Sequence, residues 1–151
     1  MQKITTFLTY KDQAEEAIKF YTSIFKNSKV KSMMRAGADG PVISGTFELE
    51  GQEFIALNGG PHFTFSEGIS LFVSCETQEE IDEMWEKLSE DGEKSRCGWL
   101  KDKFGVSWQV VPPILGQLLQ DKDPARAKRA LDAMMKMTKI DIQALKDAKE
   151  G

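Results

Sequence analysis

An α+β fold built from two tandem βαβββ units, with helices added at the C-terminus, is what the sequence predicts. Three observations predict it. Residues 4–10 are short and β-rich, and over 14–25 the apolar residues Ala17, Phe20, Tyr21, Ile24 and Phe25 share one helical face. The same order, strand then amphipathic helix, returns at 69–75 and 78–91. Finally, one half lies over the other at a fixed offset: Thr6 on Ser70, Leu8 on Phe72, Asp12 on Glu76, Phe20-Tyr21 on Met84-Trp85, and Ile24 on Leu88. At the end of each unit, Gly51 to Ala56 falls on Gly105 to Val110.

Each element has a local reason. After the first helix come three β-leaning segments, at 29–35, 42–49 and 52–58. They are parted by the Gly, Asp and Pro residues of 37–41 and by the Glu50-Gly51 turn. The second helix ends at Gly92, and 99–101 and 107–111 are strand candidates, so the middle strands of the second unit are shortened. The predicted domain spans 1–115, as units 1–62 and 63–115, and a helical extension, 116–151, packs on it. In that extension Asp123 followed by Pro124 is a helix start, N-cap then N1, and Ala127, Ala130, Leu131 and Met134 form the stripe. Asp141 caps a last short helix. Met134, Met135 and Met137 are read as packing onto the domain or a twin subunit.

At 151 residues and 40% hydrophobic, the chain buries enough surface to fold without disulfides or metal. A net charge of −4, with basic and acidic residues interspersed, supplies no stripe to neutralise a phosphate backbone, so nucleic acid is not an expected partner. No stretch reaches the roughly 18 apolar residues of a membrane span, and the first residues show no apolar signal region. Cys75 and Cys97 are too few for a disulfide framework and lack metal-knuckle spacing. A reducing, cytoplasmic setting is the expectation.

Period-2 alternation divides the strands by face. Phe7, Phe54, Ala56, Leu71, Val73, Trp108 and Val110 form an apolar set expected under the helices. The opposite set, Thr6, Leu8, Tyr10, Ile55, Leu57, Ser70, Phe72, Gln109 and Val111, is mixed. An apolar wall with a few polar groups suits a small-molecule cavity, and a solvated sheet face has the same pattern.

Three segments are specific enough to carry a resemblance: Phe20-Tyr21 with Ile24-Phe25; Leu57-Asn58-Gly59-Gly60-Pro61-His62-Phe63; and Cys97 to Asp102 with Phe104 to Pro112. Together they resemble the PhnB-like branch of the vicinal oxygen chelate superfamily, which also contains glyoxalase I, extradiol dioxygenases and the bleomycin and fosfomycin resistance proteins. Members of the branch often carry a 3-demethylubiquinone 3-methyltransferase-like label. The likeness is read over nearly the whole chain, helical tail included. It implies paired βαβββ units whose curled sheets form a cup, a homodimer, and in metal-using members a divalent ion held by the first and last strands of each unit. Carried over residue by residue, those places hold Thr6, Ile55, Ser70 and Gln109. Two hydroxyls, an isoleucine and an amide are poor donors for such an ion, so no metal ligand and no cofactor is assigned.

The expected function is binding or sequestration of a small organic molecule in a sheet-lined cup, with catalysis unassigned. The ligand-binding candidates are Thr6, Leu8, Ile55, Leu57, Asn58, Ser70, Phe72, Trp99 and Gln109. His62, the single histidine, has the side chain suited to proton transfer near neutrality and is the one catalytic candidate; a structural role in its loop is the alternative. Cys97 has no His or Asp near it in sequence to make it a nucleophile. Cys75 and Trp108 read as core. The rival reading is a metal-dependent lyase, isomerase, dioxygenase or transferase of the superfamily. The methyltransferase label finds no support, because no Gly-x-Gly nucleotide turn occurs anywhere in the chain.

Overall fold

The computed structural model describes residues 2–151; Met1, the first residue of the predicted domain, lies outside the described residues. The chain divides into two compact units after Thr64. The first contains β1 (Thr6–Tyr10), α1 (Ala14–Ile24), β2 (Ser28–Arg35), β3 (Val42–Leu49) and β4 (Gln52–Asn58). The second contains β5 (Leu71–Ser74), α2 (Gln78–Leu88), β6 (Glu93–Lys94), β7 (Trp99–Lys101) and β8 (Ser107–Val111). It continues into α3 (Pro113–Leu119), α4 (Pro124–Met134) and α5 (Ile142–Glu150). The sheets have one topology: β1-β4-β3-β2 and β5-β8-β7-β6, with the first pair parallel in each and the rest antiparallel. The predicted α+β repeat of βαβββ units is therefore the fold.

In the first unit α1 lies across the sheet because small residues make room for it. Gly45 pairs with Ala56, and a Cβ on Gly45 would come within 2.6 Å of Ile18 Cδ1. Phe47 is fully buried, stacked on Phe54 at 5.4 Å and on Tyr21 at 6.1 Å between ring centroids. The Tyr10 and Tyr21 hydroxyls meet at 3.1 Å, satisfying two groups the core would otherwise strand. No side chain of its own caps α1; the Asn58 Oδ1 at the end of β4 accepts from Ala14 N at 2.8 Å, while Asn58 Nδ2 donates to the Val42 carbonyl at 3.0 Å.

Tyr10 fixes the face of β1, and that face differs from the expected one. Thr6 pairs with Phe54, Leu8 with Ala56 and Tyr10 with Asn58, so Thr6, Leu8 and Tyr10 face α1, and Leu8 is buried there. Phe7, expected in the core, is 52% exposed on the other side, level with Ile55. The cause is a one-residue slip. Tyr10 at the end of β1 is matched by the buried Cys75 just past the end of β5, so the link from that position to the helix is one residue shorter in the second unit, and the ungapped offset inverts β1.

In the second unit the expected faces hold. Trp108 and Val110 are buried with Ile81, Trp85 and Leu88 of α2, whereas Phe72 is 58% exposed and level with Gln109. Thr77 caps α2 by accepting from Glu80 N at 3.1 Å. Asp123 and Asp141 cap α4 and α5 as predicted, accepting from Ala125 N and Ala144 N at 3.0 Å each. β6 and α3 are the elements not predicted. A core of Val111, Leu115, Leu118, Ala130, Ile140 and Leu145 joins the three C-terminal helices to the end of β8, with Met134 and Met137 packed against it; Met135 is exposed.

Candidate ligand-binding site

The open face of the β5-β8-β7-β6 sheet brings together four of the predicted residues. Phe72, Gln109 and Trp99 are register neighbours across β5, β8 and β7, and Gln109 Nε2 donates to Ser70 Oγ at 2.9 Å. Lys101 and Ser107 pair on the same face one step along. A pocket of about 320 Å³ opens there, lined by Glu67, Ser95, Arg96, Cys97, Trp99, Leu100, Lys101 and Ser107. Lys101 Nζ and Glu67 Oε1 form an ion pair at 2.5 Å, which holds the Glu67 carboxyl below and the Lys101 ammonium above their ordinary ranges.

The pocket's rim is a type I′ turn at Arg96–Trp99. Trp99 N donates to the Arg96 carbonyl at 3.0 Å, and the two central residues, Cys97 and Gly98, have φ of 58° and 84°. The C-terminal helices hold this turn through the segment between α4 and α5. Cys97 N donates to the Met137 carbonyl and Gly98 N to the Thr138 carbonyl, both at 2.8 Å. That segment is pinned in turn to α2, because Gln78 Nε2 donates to the Ile140 carbonyl at 2.9 Å and Gln78 Oε1 accepts from Ile142 N at 2.8 Å. Lys139 pairs with Asp82 at 2.9 Å and, with Gln78, holds that carboxyl below its usual range. Beneath the sheet, the turn from β7 to β8 is wound on Asp102, which is 3% exposed. Its Oδ1 accepts from Phe104 N at 2.9 Å and Val106 N at 3.0 Å, and its Oδ2 accepts from Trp108 Nε1 at 2.9 Å.

Other candidates fall elsewhere. In the first unit Ile55 and Leu57 share an open face with Phe7, and the far end of that face is charged. There Lys31 binds Glu53 at 2.8 Å and Glu48 at 3.7 Å, and Lys29 binds Glu48 at 3.6 Å. Thr6 and Leu8 point to α1, and both ends of the Asn58 amide are committed to the fold, so none of the three belongs on the open wall where the sequence places them. His62 is exposed in the turn after β4. Sequence reading misses Arg96, Lys101, Glu67 and Ser107. The period-2 rule that finds Gln109 also places Ser107 and Lys101 on the same face once it is extended to them.

The two thiols differ. Burial, with Glu80 adding to it, pushes the Cys75 thiol up to about 12, whereas Cys97 is half-buried at the pocket's rim. Ellman's reagent at pH 8 is expected to titrate one thiol per folded chain, lost in Cys97→Ser, and the second only after denaturation. Two fast thiols in the folded protein would contradict the burial of Cys75.

The superfamily's metal positions do not fit a divalent ion here. With β1 turned over, its outward place is Phe7, which has no donor, beside Ile55. In the second unit Ser70 and Gln109 are bonded to each other. Neutral oxygen and amide donors do not repay the dehydration of a transition ion. Among the described residues no three His, Cys, Asp or Glu side chains gather as a ligand set, and no helix is long and apolar enough to cross a membrane.

Paired βαβββ units with this sheet order define the glyoxalase/bleomycin resistance fold of the vicinal oxygen chelate superfamily, and the comparisons agree. A fosfomycin resistance protein, FosX, of Listeria monocytogenes, solved in a mutant form with Mn(II) and 1S,2S-dihydroxypropylphosphonic acid, is similar at 18% identity and a TM-score of 0.59, covering 80% of this chain and 100% of that one. A glyoxalase/bleomycin resistance protein from Albidiferax ferrireducens T118 is similar at 15% identity and a TM-score of 0.50, over 72% and 97% of the two chains. Residues 2–111 match the family model described as 3-demethylubiquinone-9 3-methyltransferase, and the chain belongs to that PhnB-like family. A solved PhnB protein from Bacillus cereus, described as a putative 3-demethylubiquinone-9 3-methyltransferase, is 44% identical, with a TM-score of 0.68, over 73% of this chain and 99% of that one. No curated protein matches. The family match ends at Val111, and α3, α4 and α5 lie beyond it.

Proposed function

We propose that the protein binds or sequesters a small organic molecule on the open face of its β5-β8-β7-β6 sheet, without a tightly held metal. The observation that carries the reading is the 320 Å³ pocket on that face, where the Trp99 ring stands beside a few polar groups. The volume lies at the small end of ligand sites, about 300–1,000 Å³. In this reading the protein works in the cytoplasm as a homodimer, as the superfamily resemblance implies, and transfers no methyl group. Each sheet has a single parallel pair, and no glycine-rich strand-to-helix turn is present to seat a nucleotide cofactor.

Metal analysis of protein purified without chelator, with thermal shifts against Zn²⁺, Ni²⁺, Mn²⁺ and Fe²⁺, tests the reading. Metal well below one ion per chain and no saturable stabilisation are expected. One tightly held ion per chain would defeat it and restore the metal-dependent enzyme.

A further inference from the structure

Ser107 singles out what the pocket takes. It lines the cavity, and its hydroxyl makes no hydrogen bond among the described residues and is not buried, so it is accessible for one. A hydroxyl on a pocket wall with no partner in the fold is a polar group free to fix the orientation of a ligand. Three charged side chains line the same cavity, and two of them, Glu67 and Lys101, cancel in an ion pair. The third, Arg96, has no ion pair or side-chain hydrogen bond among the described residues. It stands on the turn that the C-terminal helices clamp, so its backbone is fixed before any ligand arrives. Trp99, from the same turn, supplies a flat apolar wall.

We infer that the pocket selects a flat aromatic carboxylate. The ring system lies against Trp99, the carboxylate pairs with the Arg96 guanidinium, and a polar group on the ring meets Ser107 Oγ. The guanidinium fork matches a carboxylate with two parallel hydrogen bonds, which a neutral amide cannot reproduce. This rests on the small-molecule reading above and adds the ligand's class to it.

Isothermal titration with 6-hydroxy-2-naphthoate, its neutral carboxamide and unhydroxylated 2-naphthoate tests the assignment on the full chain. The acid is expected to bind the wild type about tenfold more tightly than the amide. Arg96→Gln, at an exposed turn position, is expected to erase that preference. Ser107→Ala is expected to erase the advantage of the hydroxylated over the unhydroxylated acid. Equal affinity of acid and amide for the wild type, or an acid preference that survives Arg96→Gln, overturns the carboxylate assignment and leaves the small-molecule reading standing. Failure of all three probes to bind overturns both.

Discussion

Replacing Asp102 by alanine is expected to cost about 3 kcal/mol of folding stability, because it strands the Trp108 indole N–H and the Val106 and Phe104 amides around a buried carboxylate. For a chain of this length that corresponds to a fall in Tm of roughly 6–12 °C. Asp102→Asn is the informative partner. It keeps an acceptor for the two amides but turns an NH₂ toward the indole N–H, so about half the loss is expected. Urea unfolding followed by tryptophan fluorescence reads both variants. A loss under about 0.5 kcal/mol for the alanine variant, the range of ordinary surface changes, would mean that the carboxylate does not hold the β7–β8 turn.

Gly98→Ala is the second large effect. Its φ of 84° already disfavours a side chain, and an added Cβ would lie 2.7 Å from the Val110 carbonyl oxygen and 3.1 Å from Ile140 Cγ1. Backbone cannot step aside as a side-chain tip can, so strain and collision together are expected to cost about 3 kcal/mol. Gly51→Ala separates the two terms. Gly51 has nearly the same φ, 82°, at the β3–β4 turn, and nothing within 4 Å of its added Cβ, so about 1 kcal/mol is expected there. Because the clamp from Met137 and Thr138 passes through this turn, Gly98→Ala is also expected to speed modification of the Cys97 thiol severalfold, which Gly51→Ala leaves alone. Equal costs for the two alanines would show that Val110 and Ile140 do not crowd the turn.

The repeat is legible because strong local signals agree with it. Glu50-Gly51 marks a hairpin whose two central residues both have positive φ, and the apolar spacing of α1 and α2 admits only one buried face. Cys97-Gly98 carries the same turn signal. What it pairs with, the backbone of Met137 and Thr138, leaves no trace in sequence, because carbonyl partners are independent of side-chain type. β1 reads upside down for a different reason. In Thr6-Phe7-Leu8-Thr9-Tyr10 both parities offer apolar residues, and the comparison with the second unit settles the choice wrongly by one residue. β6, two residues long, is too short for any pattern, whereas Pro113 at the first turn of α3 is a usable helix-start signal. Asn58 falls on the expected wall for its polarity, although an amide at the end of a strand is equally able to cap the helix beside it.

The proposed binding site is only partly legible in the sequence. Of the predicted residues only Trp99 lines the pocket, with Phe72, Gln109 and Ser70 beside it on the same sheet face, whereas Arg96 and Glu67 lie in turn and loop positions that strand parity does not reach. The three tryptophans give a direct reporter, because Trp85 and Trp108 are buried under the sheet and Trp99 lines the pocket. With 5-fluorotryptophan incorporated, ¹⁹F NMR during titration with 6-hydroxy-2-naphthoate is predicted to move the Trp99 resonance in a saturable way and leave the other two in place. A Trp99 resonance that stays fixed while ligand binds would contradict the assignment of this face as the binding site.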